Sequence, residues 1–206
     1  MSNMIKHKEQ RIGIFVDVAN MYYSAKNLYQ TKVNFGEVLK LAVSDRRLLR
    51  AIAYVVRADS PEEQGFFDAL ENQGFEVRSK DLQVFYGGQK KGDWDVGIAI
   101  DAITLAERLD VVVIVSGDGD YVPLIEYLRY NKGCRVEAMG FGRSSSSKLK
   151  ETADEFIDLA DFQDKVLLGN RGSRITRLIR PRGGREQDNA PRHPQKDIKK
   201  NGRPSS

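Results

Sequence analysis

Apolar and polar positions divide the first 168 residues into two alternating kinds of segment. Short runs rich in β-branched residues predict buried strands, and longer amphipathic segments predict helices. The predicted strands span residues 12–16, 50–56, 75–78, 82–85, 111–115, 135–139 and 155–159. The predicted helices span residues 20–29, 35–43, 60–72, 94–109, 121–130 and 148–152. Repeated strand–helix units of this length predict an α/β fold, a three-layer α/β/α sandwich around a mostly parallel sheet.

The charge is divided unevenly along the chain. Residues 169–206 contain eleven lysines and arginines against three acids, a net charge of +8, whereas residues 1–168 carry −4. This segment also contains four prolines and no aromatic residue, so it buries too little apolar surface to offset its ordering entropy. We therefore predict a disordered basic tail after a folded domain at 9–162. Such a tail indicates a polyanionic or protein partner, although a merely solubilising role explains its composition equally well.

Cysteine and hydropathy patterns exclude several classes of protein. The single cysteine, Cys134, excludes an intramolecular disulfide framework and a cysteine-based zinc site. The longest apolar run, Val111–Val115, is far shorter than the ~18 residues of a membrane helix, and the first residues lack a secretory signal. We expect a cytoplasmic protein without a membrane partner.

Aspartates stand where predicted strands end or where a predicted helix begins. They are Asp17 after the first strand, Asp118 and Asp120 after the most apolar strand, and Asp93 and Asp95 before the longest helix. In an open parallel sheet, ligands bind at the carboxyl ends of the strands, where the strand order reverses. If the first and the most apolar strands are neighbours, Asp17 and Asp118 face one small volume.

Several carboxylates in one cleft repel each other unless a cation compensates them. Ligands that offer only oxygen favour Mg²⁺ or Mn²⁺ over zinc, and neither His7 nor His193 lies near these motifs. A carboxylate-bound Mg²⁺ or Mn²⁺ beside a basic arm is typical of phosphodiester chemistry. The sequence therefore predicts a divalent-metal site for phosphate esters.

Each of these acids also has a purely structural explanation. Asp17 is a good helix N-cap, and the Gly-Asp-Gly-Asp turn at 117–120 is an ordinary way to join a strand to a helix. Asp93 and Asp95 would be favourable at any helix N-terminus. The convergence of all three sites on one edge nevertheless favours function.

Other residues near the predicted cleft have open roles. Helical periodicity predicts that Asp101 faces solvent and pairs with Arg108. Lys91 is a loop residue that either contacts phosphate or is simply solvated. Three aromatic side chains either stack on bases or, more commonly, pack in the core: Tyr22, Tyr23 and Trp94.

Four segments in order, FVDVAN, KKGDWDVGIAIDA, VSGDGDYVPLI and SSKLKETADEFIDL, resemble the NYN domain of the LabA-like (DUF88) family, a relative of the PIN-domain nucleases. The resemblance covers residues 9–162. It implies a PIN-like α/β/α sandwich and Mg²⁺- or Mn²⁺-dependent ribonuclease activity. The basic tail lies outside it.

The resemblance also implies roles for individual residues. The metal ligands and catalytic acids would be Asp17, Asp95 and Asp118, with Asp120 as a further catalytic acid. Substrate would be positioned by Asn20, Ser116 and Lys91. Asp101 matches a second acid within the helix, and one extra residue in the Lys-Gly-x-Asp segment leaves Asp93 as the alternative to Asp95.

Three functions follow as hypotheses. The first is a ribonuclease that cuts single-stranded RNA and leaves a 5′-phosphate and a 3′-hydroxyl. The second is a non-catalytic regulator of gene expression that binds RNA or a protein, with the tail as its working part. The third, a phosphatase for small phosphate esters, gives the tail no role. Domains of this kind often form homodimers, although no interface is evident in the sequence.

Overall fold

The computed structural model describes residues 6–57, 61–84, 90–91 and 93–169, with the backbone alone at 61, 62, 83, 84, 90 and 91. The strands are β1 (Arg11–Asp17), β2 (Arg47–Arg57), β3 (Glu76–Asp81), β4 (Gln83–Val84), β5 (Lys90–Lys91), β6 (Val111–Val115), β7 (Arg135–Gly140) and β8 (Glu155–Asp158). The helices are α1 (Val18–Tyr29), α2 (Phe35–Val43), α3 (Pro61–Asn72), α4 (Asp95–Leu105), α5 (Val122–Tyr130), α6 (Ser147–Thr152) and α7 (Gln163–Val166). Short 3₁₀ turns follow α4, β6 and β8.

In this part of the chain the main sheet has six strands in the order β3-β2-β1-β6-β7-β8, and every neighbouring pair is parallel. In sequence order, β2 and β3 follow β1 and lie on one side of it. The later strands β6, β7 and β8 lie on its other side. The strand order therefore reverses between β1 and β6. That reversal is where open α/β sheets form their ligand sites.

Two apolar layers cover the faces of the sheet. One face packs α1, α2, α3 and α7 through buried residues such as Met21, Val38 and Leu70. The other face packs α4, α5 and α6 through residues such as Ile98, Ile125 and Leu149. The α/β/α architecture with a parallel sheet is thus confirmed. Because both faces are covered, the central strands read as continuous apolar runs rather than alternating ones.

A buried ion pair joins β7 to the residue that precedes β2. Arg46 and Glu137 have side chains only 1% and 0% exposed, and their charged groups meet at 2.8 and 2.9 Å. Arg46 also donates to the carbonyl oxygens of Ala42 and Val43, at 2.7 and 3.1 Å. Both charges are therefore fully partnered in the interior.

Several predicted elements differ from the structure in extent. The helix predicted at 94–109 ends at Leu105 and continues as a 3₁₀ turn, and β2 begins at Arg47 rather than at residue 50. The strand predicted at 82–85 is only a two-residue ribbon, Gln83–Val84, which pairs antiparallel with β5 outside the main sheet. The proposed disordered tail at 169–206 lies, from residue 170 onward, outside the described residues. No described helix is long and apolar enough to cross a membrane.

Candidate active site

The carboxyl ends of β1 and β6 meet at the point where the strand order reverses. The two strands are hydrogen-bonded neighbours, with Val16 directly opposite Val115. Asp17 ends β1, and Ser116, Gly117 and Asp118 leave the end of β6. The expectation that these two strands are adjacent is therefore correct, and their following acids share one edge of the sheet.

Asp17 has both a structural and an electrostatic position. Its Oδ1 accepts the backbone N–H of Asn20 at 3.0 Å, so it is the N-cap of α1, as its position in the sequence indicated. Its Oδ2 lies 3.3 Å from the hydroxyl of Tyr121. Burial raises the pKa of Asp17, and the nearby carboxylates of Asp95 and Asp118 raise it further, against the opposing hydrogen bonds. Its cap role alone would not create this repulsion.

Tyr121 connects Asp17 to the start of α4. It is 1% exposed, and its hydroxyl also lies 3.0 Å from Oδ1 of Asp95. Burial raises the pKa of Asp95, with Asp93, Asp118 and Asp120 adding to the effect, although the Tyr121 hydrogen bond opposes it. One hydroxyl has one proton, so it donates to only one of the two carboxylates at a time. The carboxylates of Asp17 and Asp95 therefore lie close together, and the Tyr121 hydroxyl compensates the negative charge of only one of them at a time.

Asp118 lies on the loop after β6. The backbone N–H of Asp120 donates to its Oδ1 at 3.0 Å, and the buried Ser116 hydroxyl accepts the N–H of Asp118 at 3.2 Å. Asn20 reaches across from α1 and accepts the N–H of Gly117 through its Oδ1 at 3.0 Å. Ser116 and Asn20 thus fix the loop that carries Asp118. Asp120 is exposed in the 3₁₀ turn that follows Asp118.

A cleft of about 190 Å³ collects these groups. Its lining residues are Asp17, Ala19, Asn20, Tyr23, Val56, Asp93, Trp94, Asp95 and Asp118. We call this space the acidic cleft. Trp94 is half-buried, donates its indole N–H to the carbonyl of Val55 at 2.7 Å and packs against Tyr54, so it combines a structural role with a place at the cleft wall. Tyr23 remains 59% exposed beside it, whereas Tyr22 does not line the cleft.

Asp101 does not line the acidic cleft. Its carboxylate accepts the hydroxyl of Tyr54 at 2.7 Å and pairs with Arg78 at 2.7 Å, and its side chain is 15% exposed. The prediction that it faces solvent beside Arg108 is therefore wrong. Helical periodicity missed this because the partners of Asp101 lie on β2 and β3, which the spacing within one helix does not reveal. Tyr54 and Arg78 give Asp101 a role in joining α4 to the sheet.

The remaining predicted positions are only partly described. Asp93 lines the acidic cleft together with Asp95, so the position of the cleft does not choose between them, although only Asp95 bonds to Tyr121. Lys91 lies in β5, and its side chain is outside what the structure describes. Sequence reasoning missed Tyr121, whose only signal was its place directly after the Gly-Asp-Gly-Asp turn.

The donor set of the acidic cleft suits a hard divalent cation, because it offers carboxylate oxygens and no histidine or cysteine. Asp17, Asp95 and Asp118 come from three separate segments, and burial already disfavours the charged forms of the first two. As they stand, however, no three acidic, histidine or cysteine side chains of the described residues converge on a single metal position. Asp17 and Asp95 are turned to the Tyr121 hydroxyl instead. The chemistry of the donors fits a cation without forming a complete cage.

Comparison with known proteins places this geometry in a family. The sequence profile of the NYN domain matches residues 11–160, which is most of the described chain. The chain belongs to the NYN domain family. It is 30% identical to the low amplitude and bright protein LabA of Synechococcus elongatus over 167 residues, covering 77% of this chain and 89% of LabA. The resemblance drawn from the sequence motifs is thereby confirmed.

A solved structure shares the NYN fold of this chain. It is the crystal structure of a protein of unknown function, VPA0982, from Vibrio parahaemolyticus, with 34% sequence identity and a TM-score of 0.72. The match covers 80% of this chain and all of that one. The shared fold therefore extends over most of the chain, but it brings no further assignment of function.

Proposed function

We propose that this NYN domain protein is a divalent-metal-dependent ribonuclease that cuts single-stranded RNA at the acidic cleft. The observation that carries the proposal is the acidic cleft itself. Carboxylates from three separate segments, Asp17, Asp95 and Asp118, line one small space where the strand order reverses. Burial and mutual repulsion raise the pKa of Asp17 and Asp95, so the site gains from a cation.

The residues divide the work in this proposal. Asp17, Asp95 and Asp118 would hold Mg²⁺ or Mn²⁺. Asp120, exposed in the turn after Asp118, is a further catalytic acid. When bound, the cation supplies charge that offsets the developing negative charge on the phosphate and makes a nearby water more acidic. Asn20 and Ser116 hold the Asp118 loop in place through the N–H groups of Gly117 and Asp118. Cleavage leaves a 5′-phosphate and a 3′-hydroxyl.

Three further features support RNA as the substrate class. The family is related to PIN-like nucleases, and the sequence of residues 169–206 carries a net charge of +8, which favours a polyanion. Tyr23, 59% exposed at the wall of the acidic cleft, offers an aromatic face for a base. A small phosphate ester would use neither the tail nor this face.

One observation favours a second candidate, a regulator that binds RNA or protein without cutting it. The hydroxyl of Tyr121 lies against both Asp17 and Asp95, and the described residues hold no ready cluster of three metal-binding side chains. A protein that had lost catalysis would keep such a hydrogen-bonded arrangement without cost. The two candidates share the fold and differ only in whether RNA is cleaved.

The deciding experiment incubates the full-length protein with end-labelled single-stranded RNA in Mn²⁺, in Mg²⁺ and in EDTA. We expect metal-dependent cleavage that yields 5′-phosphate ends and that Asp118→Asn reduces by at least 100-fold. The matched control is Asp161→Asn, an exposed aspartate outside the acidic cleft, which should cleave at the normal rate.

Two outcomes would contradict the nuclease. One is RNA that stays intact with Mn²⁺ while still binding the protein, which would support the regulator. The other is cleavage by Asp118→Asn at the rate of Asp161→Asn, which would indicate a contaminating nuclease. Hydrolysis of small phosphate monoesters with intact RNA would instead support a phosphatase.

A further inference from the structure

A second cleft, of about 460 Å³, lies beside the acidic cleft. One wall is the loop between β7 and α6, and the other is the loop after β6. Its lining residues are Asn20, Gly117, Asp118, Gly119, Arg143, Ser144, Ser145 and Ser146. We call it the serine cleft. Asn20 and Asp118 line both clefts, so the two spaces are neighbours.

The serine cleft is shaped by close packing of its two loops. A Cβ atom on Gly117 would lie 2.7 Å from Oγ and 3.0 Å from Cα of Ser145, and one on Gly119 would lie 3.0 Å from Oγ of Ser146. The backbone N–H of Ser146 donates to the carbonyl of Gly117 at 2.9 Å. The glycines therefore allow the loop between β7 and α6 to sit directly over the loop that carries Asp118.

The serine cleft offers one hydroxyl donor, that of Ser146, that the described part of the fold does not use. Ser145 donates to the carbonyl of Phe141 at 2.9 Å, and Ser144 bonds to Phe141 and Ser24. The hydroxyl of Ser146 makes no hydrogen bond with another described residue, although it lies against the Asp118 loop. One donor at the cleft wall thus remains available.

Arg143 adds a positive charge to this wall. Other arginines of the domain pair with carboxylates, as Arg46 does with Glu137 and Arg129 with Asp154. Arg143 is exposed and forms no ion pair within the described part of the chain, even though Asp118 lines the same cleft. A guanidinium and a hydroxyl that line one cleft are donors of the kind that recognise a phosphate group.

We propose that the serine cleft binds a second phosphodiester of the same RNA strand, next to the one cut at the acidic cleft. The Arg143 guanidinium and the Ser146 hydroxyl donate to its non-bridging oxygens. The substrate class in this inference rests on the proposed function. Because Asn20 and Asp118 line both clefts, the ligand in this inference is a neighbouring link of one strand rather than a separate small anion.

The test measures binding in EDTA, where no cleavage is needed. Full-length protein is titrated with a labelled five-nucleotide single-stranded RNA and with versions in which one linkage at a time is a neutral methylphosphonate. We expect one linkage whose neutralisation weakens binding five- to tenfold. Arg143→Gln should bind the unmodified RNA more weakly by a similar factor and should lose sensitivity to that linkage.

Two comparisons complete the design. Arg108→Gln removes an exposed arginine outside the serine cleft and should keep the wild-type pattern of linkage effects. Ser146→Ala should show a smaller loss at the same linkage as Arg143→Gln. The slope of log affinity against log salt concentration should fall by about 0.7 in Arg143→Gln, which is the loss of one phosphate contact on a single strand.

The inference is overturned if Arg143→Gln and Arg108→Gln bind alike, or if Arg143→Gln keeps the linkage pattern of the wild type. Its failure is separable from failure of the nuclease. Metal-dependent cleavage without any effect at Arg143 would remove the phosphate subsite and leave the nuclease. A linkage effect that depends on Arg143, in a protein that never cleaves RNA, would retain the subsite in a binding protein.

Discussion

Replacement of Asp17 by asparagine should stabilise the protein when divalent cations are removed with EDTA. Asparagine is as good an N-cap as aspartate, so the contact with the N–H of Asn20 at 3.0 Å is expected to survive. The Tyr121 hydroxyl would then donate to Asp95 without competition from a second carboxylate. What the change removes is a partly buried negative charge close to another.

The size of the effect follows from the distances around Tyr121. Its hydroxyl is 3.3 Å from one carboxylate oxygen and 3.0 Å from the other, so those oxygens are at most about 6 Å apart. Two unit charges at about 6 Å repel by roughly 3 kcal/mol at an effective dielectric constant of about 20. Asp17 and Asp95 are both partly exposed, so solvent screens the repulsion and about 1–2 kcal/mol of stabilisation is expected at pH 7. That corresponds to a Tm increase of about 2–8 °C for a chain of this size.

The pH dependence of stability independently tests whether Asp17→Asn is stabilising. The pKa of Asp17 is higher in the folded protein than in the unfolded chain, mainly because of burial. The folded state therefore binds this proton more tightly, and wild-type stability falls as the pH rises from about 4 through the raised folded pKa. Asp17→Asn lacks this loss. The advantage of the variant should be greatest above that pKa and should disappear below about pH 4.

Thermal unfolding of wild type, Asp17→Asn and the control Asp161→Asn, in EDTA from pH 4 to pH 8, measures this difference. The control should stay within about 0.5 kcal/mol of wild type. Added Mn²⁺ should stabilise the wild type more than Asp17→Asn, because the cation loses a ligand in the variant. An Asp17→Asn protein no more stable than the control at pH 7 would refute the argument that this carboxylate is electrostatically strained.

Three further expectations concern positions away from the pair. Glu137→Gln should lower the free energy of unfolding, measured with urea, by about 3 kcal/mol or more, because it leaves the buried Arg46 without a counter-charge; an unchanged midpoint would contradict this. Gly117→Ala should lower stability by about 1–3 kcal/mol in thermal unfolding, since the new methyl group meets the backbone of Ser145. Cys134 is buried and burial raises its pKa, so a thiol reagent should label the native protein only as fast as it unfolds; immediate labelling would show that the site is open.

Strand and helix patterns predicted the fold well because both faces of the sheet are covered. The run Val111–Val115 could only be a strand buried on two sides, and it is the partner of β1. The parallel sheet then required the acids after both strands to share an edge. Adjacency of β1 and β6 was a condition in the sequence argument, and the structure meets it.

The contacts that decide the roles of single residues were beyond the sequence. The partners of Asp101, Tyr54 and Arg78, belong to strands whose register no local pattern encodes. In the sequence Tyr121 is one more apolar position at the start of a helix. The partners of its hydroxyl, Asp17 and Asp95, belong to other segments that only the folded structure brings together. The close packing of Ser145 and Ser146 against Gly117 and Gly119 likewise joins two loops that are distant in the sequence. Side-chain partners between distant elements are what sequence periodicity leaves out.

The central position of β1 has a consequence during protein synthesis. Among the described strands this one is synthesised before the rest, yet one of its two neighbours, β6, is made only after β2 to β5 and α1 to α4. Tyr121 meets Asp17 across a sequence separation of 104 residues. A nascent chain that stops before β6 can pair β1 with β2 but has no second wall for the acids. The acidic cleft can therefore be complete only late in translation, after Asp118 has left the ribosome.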